Sequence, residues 1–94
     1  MFAFNDALAA GAIKAVLEAG LGGPQDVAVV GAGNVHYSDL LRVPLTTVDQ
    51  SSLLLGQTAA ELLLQAFDAK TAPVPRRIMF SPRLIVRESS QRTK

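Results

Sequence analysis

The sequence predicts an α/β fold with a largely parallel sheet, and three observations carry that reading. Residues 26–34, Asp-Val-Ala-Val-Val-Gly-Ala-Gly-Asn, form an apolar, mostly β-branched run between turn formers, the pattern of a strand buried on both faces. Residues 6–20 and 51–70 flank that run with helical periodicity, and the alternation of helix and strand is the signature of a layered α/β domain. Further short apolar runs at residues 45–48, 78–80 and 84–86 supply additional strands. Ligands in open sheets of this kind gather beyond the carboxyl ends of the strands, which directs attention to residues 31–36.

Each element has a local cause. Residues 1–4, Met-Phe-Ala-Phe, read as a strand that starts at the first residue, and Asn5 and Asp6 offer side-chain oxygens as helix caps. A helix over residues 7–19 places Ala9, Ile13, Val16 and Leu17 on one stripe, and Gly20 is a fitting left-handed stop. A second stripe of Leu8, Ala12, Ala15 and Ala19 favours packing on both sides of that helix. Residues 22–26 turn the chain into the central strand, residues 37–41 form a single helical turn near His36, and Pro44 stops it. Ser51 or Ser52 caps the longest helix. There Leu55, Ala59, Leu62, Leu63, Ala66 and Phe67 keep the 3.6-residue period, while Gln57, Glu61, Gln65 and Asp68 face water. Residues 71–75 are a stiff proline-containing connector, Pro82 separates the last two strands, and residues 89–94 form a polar, frayed tail.

Composition bounds the function. With 94 residues, 49% of them hydrophobic and 18% charged, the chain is one unit over 1–94, is not disordered, and has little polar surface for its size. The absence of cysteine excludes a disulfide framework, and a single histidine argues against zinc. No run is long enough for a membrane span, and the start has no secretory pattern, so a cytoplasmic location is expected. The net charge of +1 is uneven: the last nineteen residues hold six of the nine cations. Arg76, Arg77, Arg83 and Arg87 alternate with apolar segments, which fits an edge-strand or solubility role better than a nucleic-acid footprint.

The chemical motifs are sparse. Gly31-Ala32-Gly33 follows a strand, but the third glycine of a dinucleotide fingerprint falls on His36 and no long helix opens behind the turn. His36, Ser38 and Asp39 are close in sequence, yet neighbours on one turn do not make a nucleophile, a base and an orienting group converge, and His36 and Tyr37 read as partly exposed loop residues. No enzyme activity, metal or cofactor is expected. Asn5 and Asp6 end a strand on the same side of a parallel sheet as Gly33 and Asn34, which gives them a possible binding role beside their capping role.

Taken in order, FAFND-ALAAGAIKAVLEAGL, PQDVAVVGAGN, PLTTVDQ, LLLGQTAAELLLQ and PRLIVRES resemble the C-terminal part of the effector-binding core of LacI/GalR-type bacterial transcription regulators, across nearly the whole chain. The resemblance implies a flavodoxin-like three-layer fragment with a mainly parallel sheet, part of a periplasmic-binding-protein-like type I core. It implies that the helix beginning near residue 52 crosses into a second subdomain and that the last strand returns. It further implies a small-molecule effector, a sugar or related metabolite, held in the cleft. A homodimer and operator DNA are implied partners, the DNA contacted through an N-terminal headpiece outside this sequence.

Carried over by residue, the resemblance points to Asn5, Asp6, Asn34 and Ser52 as ligand-binding, and to Ala10 and Leu41 as dimer surface. Gly33 stands where many members have an effector-binding aspartate, and Ala32 where an aromatic is usual, so a strong sugar site is not expected. A periplasmic-type sugar-binding transport protein and a nucleotide-binding oxidoreductase are the alternatives. The first is opposed by the absence of an export signal, and the second needs a cofactor at residues 31–34. The chain alone is expected not to bind operator specifically, to bind effector poorly, and to self-associate.

Overall fold

The computed structural model describes residues 1–68 and 77–91, with the elements α1 (Asp6–Glu18), β1 (Val30–Ala32), β2 (Thr46–Asp49), α2 (Ser52–Asp68), β3 (Arg83–Ile85) and a 3-10 turn at Glu88–Ser90. The sheet has the order β1-β2-β3. β1 and β2 run parallel, with Val30 opposite Thr46, and β3 joins antiparallel, with Ile85 opposite Thr47. Phe2 adds a parallel bridge to Val30, and the amino terminus donates to the Ala28 carbonyl at 2.7 Å.

The α1 side of the sheet holds the core. Ala9 and Ile13, from the predicted stripe of α1, meet Val29, Val43 and Leu45, with Ala3, Ala12, Leu17, Val27 and Leu41 around them. Asn5 is the N-cap, its Oδ1 accepting from the Leu8 N–H at 2.9 Å, and Gly20 follows the helix at φ +78°. The turn into β1 closes through the Asp26 carboxylate, which accepts from the Gly22 N–H at 2.6 Å.

Several sequence expectations are corrected. Asp6 is not a cap: it is fully buried inside the first turn of α1 and bonds across to β2 and to residue 35. The central strand is closed on one face only. Val29 and Gly31 are buried against α1, whereas Val30 and Ala32 stay half-buried because nothing packs fully over their side. Leu8, Ala15 and Ala19 are exposed, so the second stripe of α1 has no cover from this chain. Residues 37–41 make successive turns and not a helical turn, since residues 35–40 close i to i+3 bonds twice without continuing the ladder.

Residues 78–80 form no strand, for they have no neighbouring strand among the described residues, and Met79 is exposed. The expected frayed tail is partly a rivet. Ser89 is buried, its N–H donates to the Pro44 carbonyl and its own carbonyl accepts from Val29. The Ser89 hydroxyl accepts from the Thr46 N–H at 2.8 Å and donates to the Val29 carbonyl at 2.6 Å, tying β1 to β2. Arg87, expected as a solubility cation, is half-buried and structural, as described below. The connector over 71–75, and Arg76, lie outside the described residues.

The largest departure is α2. The periodicity forms the helix as predicted, yet none of its residues is buried: Leu53 is 77% exposed, Phe67 is 74% exposed, and Leu55, Leu63 and Leu64 are open to solvent. The chain measures 62 × 23 × 18 Å with a radius of gyration of 18.2 Å, against about 12 Å for a compact chain of this length. α2 therefore stands off the sheet, and its apolar stripe needs a surface that one copy of this chain does not fold against it.

Candidate functional site

The carboxyl ends of β1 and β2 lie side by side because the two strands are parallel, and both lead into tight polar corners. After β1, Gly33 has φ +122° and Asn34 has φ +48°, values that reverse the backbone at once and turn the Asn34 side chain toward β2. The Gly33 N–H still donates to the Val48 carbonyl at 2.9 Å, so the corner is held to the sheet. After β2, Asp49 makes an Asx turn: its Oδ1 accepts from the Ser51 N–H at 2.8 Å. Ser51, at φ +54°, then starts α2, its carbonyl accepting the Leu55 N–H.

Beneath this corner lies a buried polar layer. Asp6 Oδ1 accepts from the Thr47 hydroxyl at 2.7 Å and Oδ2 from the Val35 N–H at 2.9 Å, while Thr47 Oγ1 accepts from the Asn34 N–H at 3.2 Å. These bonds fix the loop after β1 to β2 and to α1. Gly31 is required here, because a methyl group at that position would collide with the Asp6 carboxylate, Ala9 and Leu45. The layer leaves no buried side-chain polar atom unpaired among the described residues.

Arg87 approaches from the returning segment. Its guanidinium donates to Asn34 Oδ1 at 3.0 Å, to Ser38 Oγ at 2.8 Å and to the Leu45 carbonyl at 2.9 Å, and Ser38 Oγ donates to Asn34 Oδ1 at 3.2 Å. A guanidinium has no acceptor, so it fixes the Asn34 amide with its oxygen inward and its NH2 outward. The NH2 group donates to Asp49 Oδ2 at 3.3 Å. The Ser51 N–H bond, followed by the Asn34 bond, holds the Asp49 carboxyl below its ordinary value, with burial opposing them and the Arg83 charge adding the smallest effect, in the same lowering direction.

These groups line an open hollow of about 360 Å³, bounded by Gly33, Asn34, Asp49, Ser51, Ser52, Leu53, Leu54 and Gln57. Of the predicted ligand residues the structure brings Asn34 and Ser52 to the hollow. Asn5 is exposed and occupied as the N-cap, and Asp6 lies under the floor with both oxygens engaged. Ala10 and Leu41 meet elsewhere, in a groove of about 570 Å³ shared with Ile13, Lys14, Leu17, Glu18 and Arg42. His36 packs edge-on to Tyr37 at 5.4 Å and is exposed, while Ser38 is buried in the Arg87 network, so these two groups do not converge. No group of three or more potential metal ligands occurs among the described residues, and no helix among them is long and apolar enough to cross a membrane.

Sequence reasoning missed Asp49, Gln57 and Arg87. Asp49 had a readable signal: an acidic residue between a strand end and a helix-starting serine, at the point where ligands collect. Gln57 faces the same hollow one turn into α2, although its period alone assigns it to water. Arg87 differs from the other arginines only through its tertiary partners.

Comparison with known proteins places this geometry. The family model described as a periplasmic binding protein-like domain matches residues 1–90. The chain is 41% identical over 91 residues to the HTH-type transcriptional repressor PurR of Haemophilus influenzae (strain PittEE), an alignment covering 95% of this chain and 27% of that protein. Among solved structures, the transcriptional regulator CelR–cellobiose complex superposes with a TM-score of 0.85 at 32% identity, over 95% of this chain and 27% of that one. The Lac repressor dimer bound to operator and the anti-inducer ONPF superposes with a TM-score of 0.82 at 34% identity, over 96% of this chain and 31% of that one. The chain thus spans about a quarter of the length of the curated relatives it matches. The transport and oxidoreductase alternatives are not favoured by these relatives. With the mixed sheet, the polar corner at the ends of its two parallel strands and the helix that departs from it, the chain belongs to the periplasmic binding protein-like domain family, as part of the effector-binding region of a LacI-type regulator.

Proposed function

We propose that this chain supplies one wall of the effector cleft, and a self-association surface, in a cytoplasmic transcription repressor, and that it is a binding module and not an enzyme. The observation that carries the reading is the polar hollow at the carboxyl ends of β1 and β2, from whose rim an apolar and uncovered helix departs. A ligand seated there touches Asn34 and Ser52 on one wall, with Asn5 at the adjoining strand end and Asp6 positioning the loop from below. Effector binding changes regulation by favouring one arrangement of the walls of the cleft, a population shift whose size is set by the difference in affinity for the two arrangements. Operator contact belongs to a helix-turn-helix outside these residues, and the groove at Ala10 and Leu41 serves pairing with a second copy.

The experiment is a titration of neutral sugars and nucleobases, at millimolar concentration, into the 15N-labelled chain. The expected result is that at least one probe moves the amide signals of Gly33, Asn34, Ser51 and Ser52 while those of the α1 groove stay fixed. If no probe moves any of these signals, the sensing role of the hollow is wrong. In parallel, fluorescence anisotropy with random duplex at two salt concentrations is expected to show only weak, salt-sensitive contact.

A further inference from the structure

We infer that Asp49 is the specificity-determining acceptor of the hollow, and that the hollow takes an uncharged small molecule that presents two adjacent hydrogen-bond donors and rejects anions. The inference rests on the sensing role proposed above and deepens it. Among the described residues that line the hollow, Asp49 alone carries a formal charge; the others are Gly33, Asn34, two serines, two leucines and Gln57.

The acceptor capacity of Asp49 is only partly used. An ionised carboxylate offers about four lone-pair positions. The Ser51 N–H takes one on Oδ1, and the Asn34 NH2 takes one on Oδ2 through a long contact of 3.3 Å. About two positions remain, one on each oxygen, which is the complement of a vicinal pair of hydroxyl or N–H donors.

The neighbouring groups are set to the same end. Arg87 and Ser38 both donate to Asn34 Oδ1, so that oxygen is withdrawn from the hollow and Asn34 contributes donors only. Those donors bind Asp49 Oδ2 and hold the carboxylate in place before a ligand arrives, which reduces the ordering cost of binding. The facing cation is Arg83, opposite Asp49 in the β2–β3 register, and it does not line the hollow. An anionic ligand therefore meets a carboxylate that is the one formal charge lining the hollow among the described residues, whereas a neutral donor pair meets a preformed acceptor.

The test uses the full 94-residue chain with three probes: sucrose and hypoxanthine as neutral donor-rich molecules of two kinds, and glucose 6-phosphate as an anion. NMR is expected to show that at least one neutral probe moves the Asp49 carboxyl 13C signal and the Asn34 side-chain amide, with no response to glucose 6-phosphate at equal concentration. Asp49→Asn keeps the Asx turn, since asparagine accepts the same Ser51 bond. It is expected to retain the amide dispersion of the fold and to weaken neutral-probe binding tenfold or more. Should a neutral probe bind at the hollow with equal strength in Asp49→Asn, or leave the Asp49 carboxyl signal unmoved, the inference is overturned while the sensing role stands. Response to the anion alone overturns it in the same way, and silence from all three probes overturns both.

Discussion

The two helices of this chain carry similar apolar stripes and meet opposite fates. α1 lays Ala9 and Ile13 on Val29 and Leu45, anchors its first turn through buried Asp6, and is stitched to β1 and β2. α2 is longer and equally periodic, yet it buries nothing. Amphipathic patterning specifies that a helix has an apolar side; only the remainder of the fold specifies what lies against it. The stability of the chain therefore resides in α1, the sheet and the returning segment at residues 83–91, while the apolar stripe of α2 stays uncovered.

The sharpest way to break the packed half is at Asp6. Asp6→Ala leaves the Thr47 hydroxyl and the Val35 N–H without their acceptor in a buried layer, and a loss of about 2–4 kcal/mol follows from two such groups. Urea unfolding followed by far-ultraviolet circular dichroism measures it, and a loss below about 0.5 kcal/mol contradicts a buried polar anchor.

Ser89→Ala is expected to cost about 1–3 kcal/mol, because the buried Thr46 N–H loses its acceptor and the β1–β2 tie through residue 89 opens. The same urea series reads it, with Ser90→Ala for comparison; Ser90 is only half-buried, and its hydroxyl bonds the Thr46 hydroxyl at 2.6 Å. Equal effects at the two serines would remove the claim that Ser89 is the rivet.

On α2 the expectation reverses. Leu53→Gln, Leu63→Gln and Leu64→Gln exchange exposed apolar side chains for polar ones of similar helix propensity, so each changes the stability of the dilute chain by no more than about 0.5 kcal/mol. Light scattering across a dilution series of the parent chain is expected to show self-association, and the three changes combined are expected to abolish it. Large destabilisation of the dilute monomer would mean that α2 packs on its own sheet.

How much was legible follows the same division. The stripe on α1, the Asn5 cap, the Gly20 stop and the strand leading to Gly31 were readable because each rests on spacing or on the backbone demand of one residue. Asp6, Arg87 and Ser89 were misread as cap, solubility cation and frayed tail. Their roles come from partners 29 to 60 positions away in the chain, which no local pattern encodes. The strand-end rule locates the hollow through Asn34 and Ser52, but not its charged residue, because Asp49 reaches the hollow only through the side-by-side ends of β1 and β2.

The smallest expected effect is electrostatic. The folded Asp49 carboxyl titrates below the ordinary aspartate value, so its contribution to stability is present above that ordinary value and is lost as pH falls through the lower folded one. Carboxyl 13C titration should place the Asp49 midpoint below the ordinary aspartate range, and Asn34→Ala should raise it by removing one of the two bonds that favour the charged form. A midpoint at or above the ordinary aspartate value would show that the Asx turn and the Asn34 bond do not hold the charge.

The division between the two halves is tested most directly by residue-resolved hydrogen exchange on the dilute chain. Amides of α1, β1 and β2 are expected to exchange only through global unfolding, while those of residues 56–68 in α2 exchange orders of magnitude faster and become slower as the concentration rises. Protection in α2 equal to that of α1, and independent of concentration, would contradict the account, because it would mean that the apolar stripe of α2 already has its partner within a single copy.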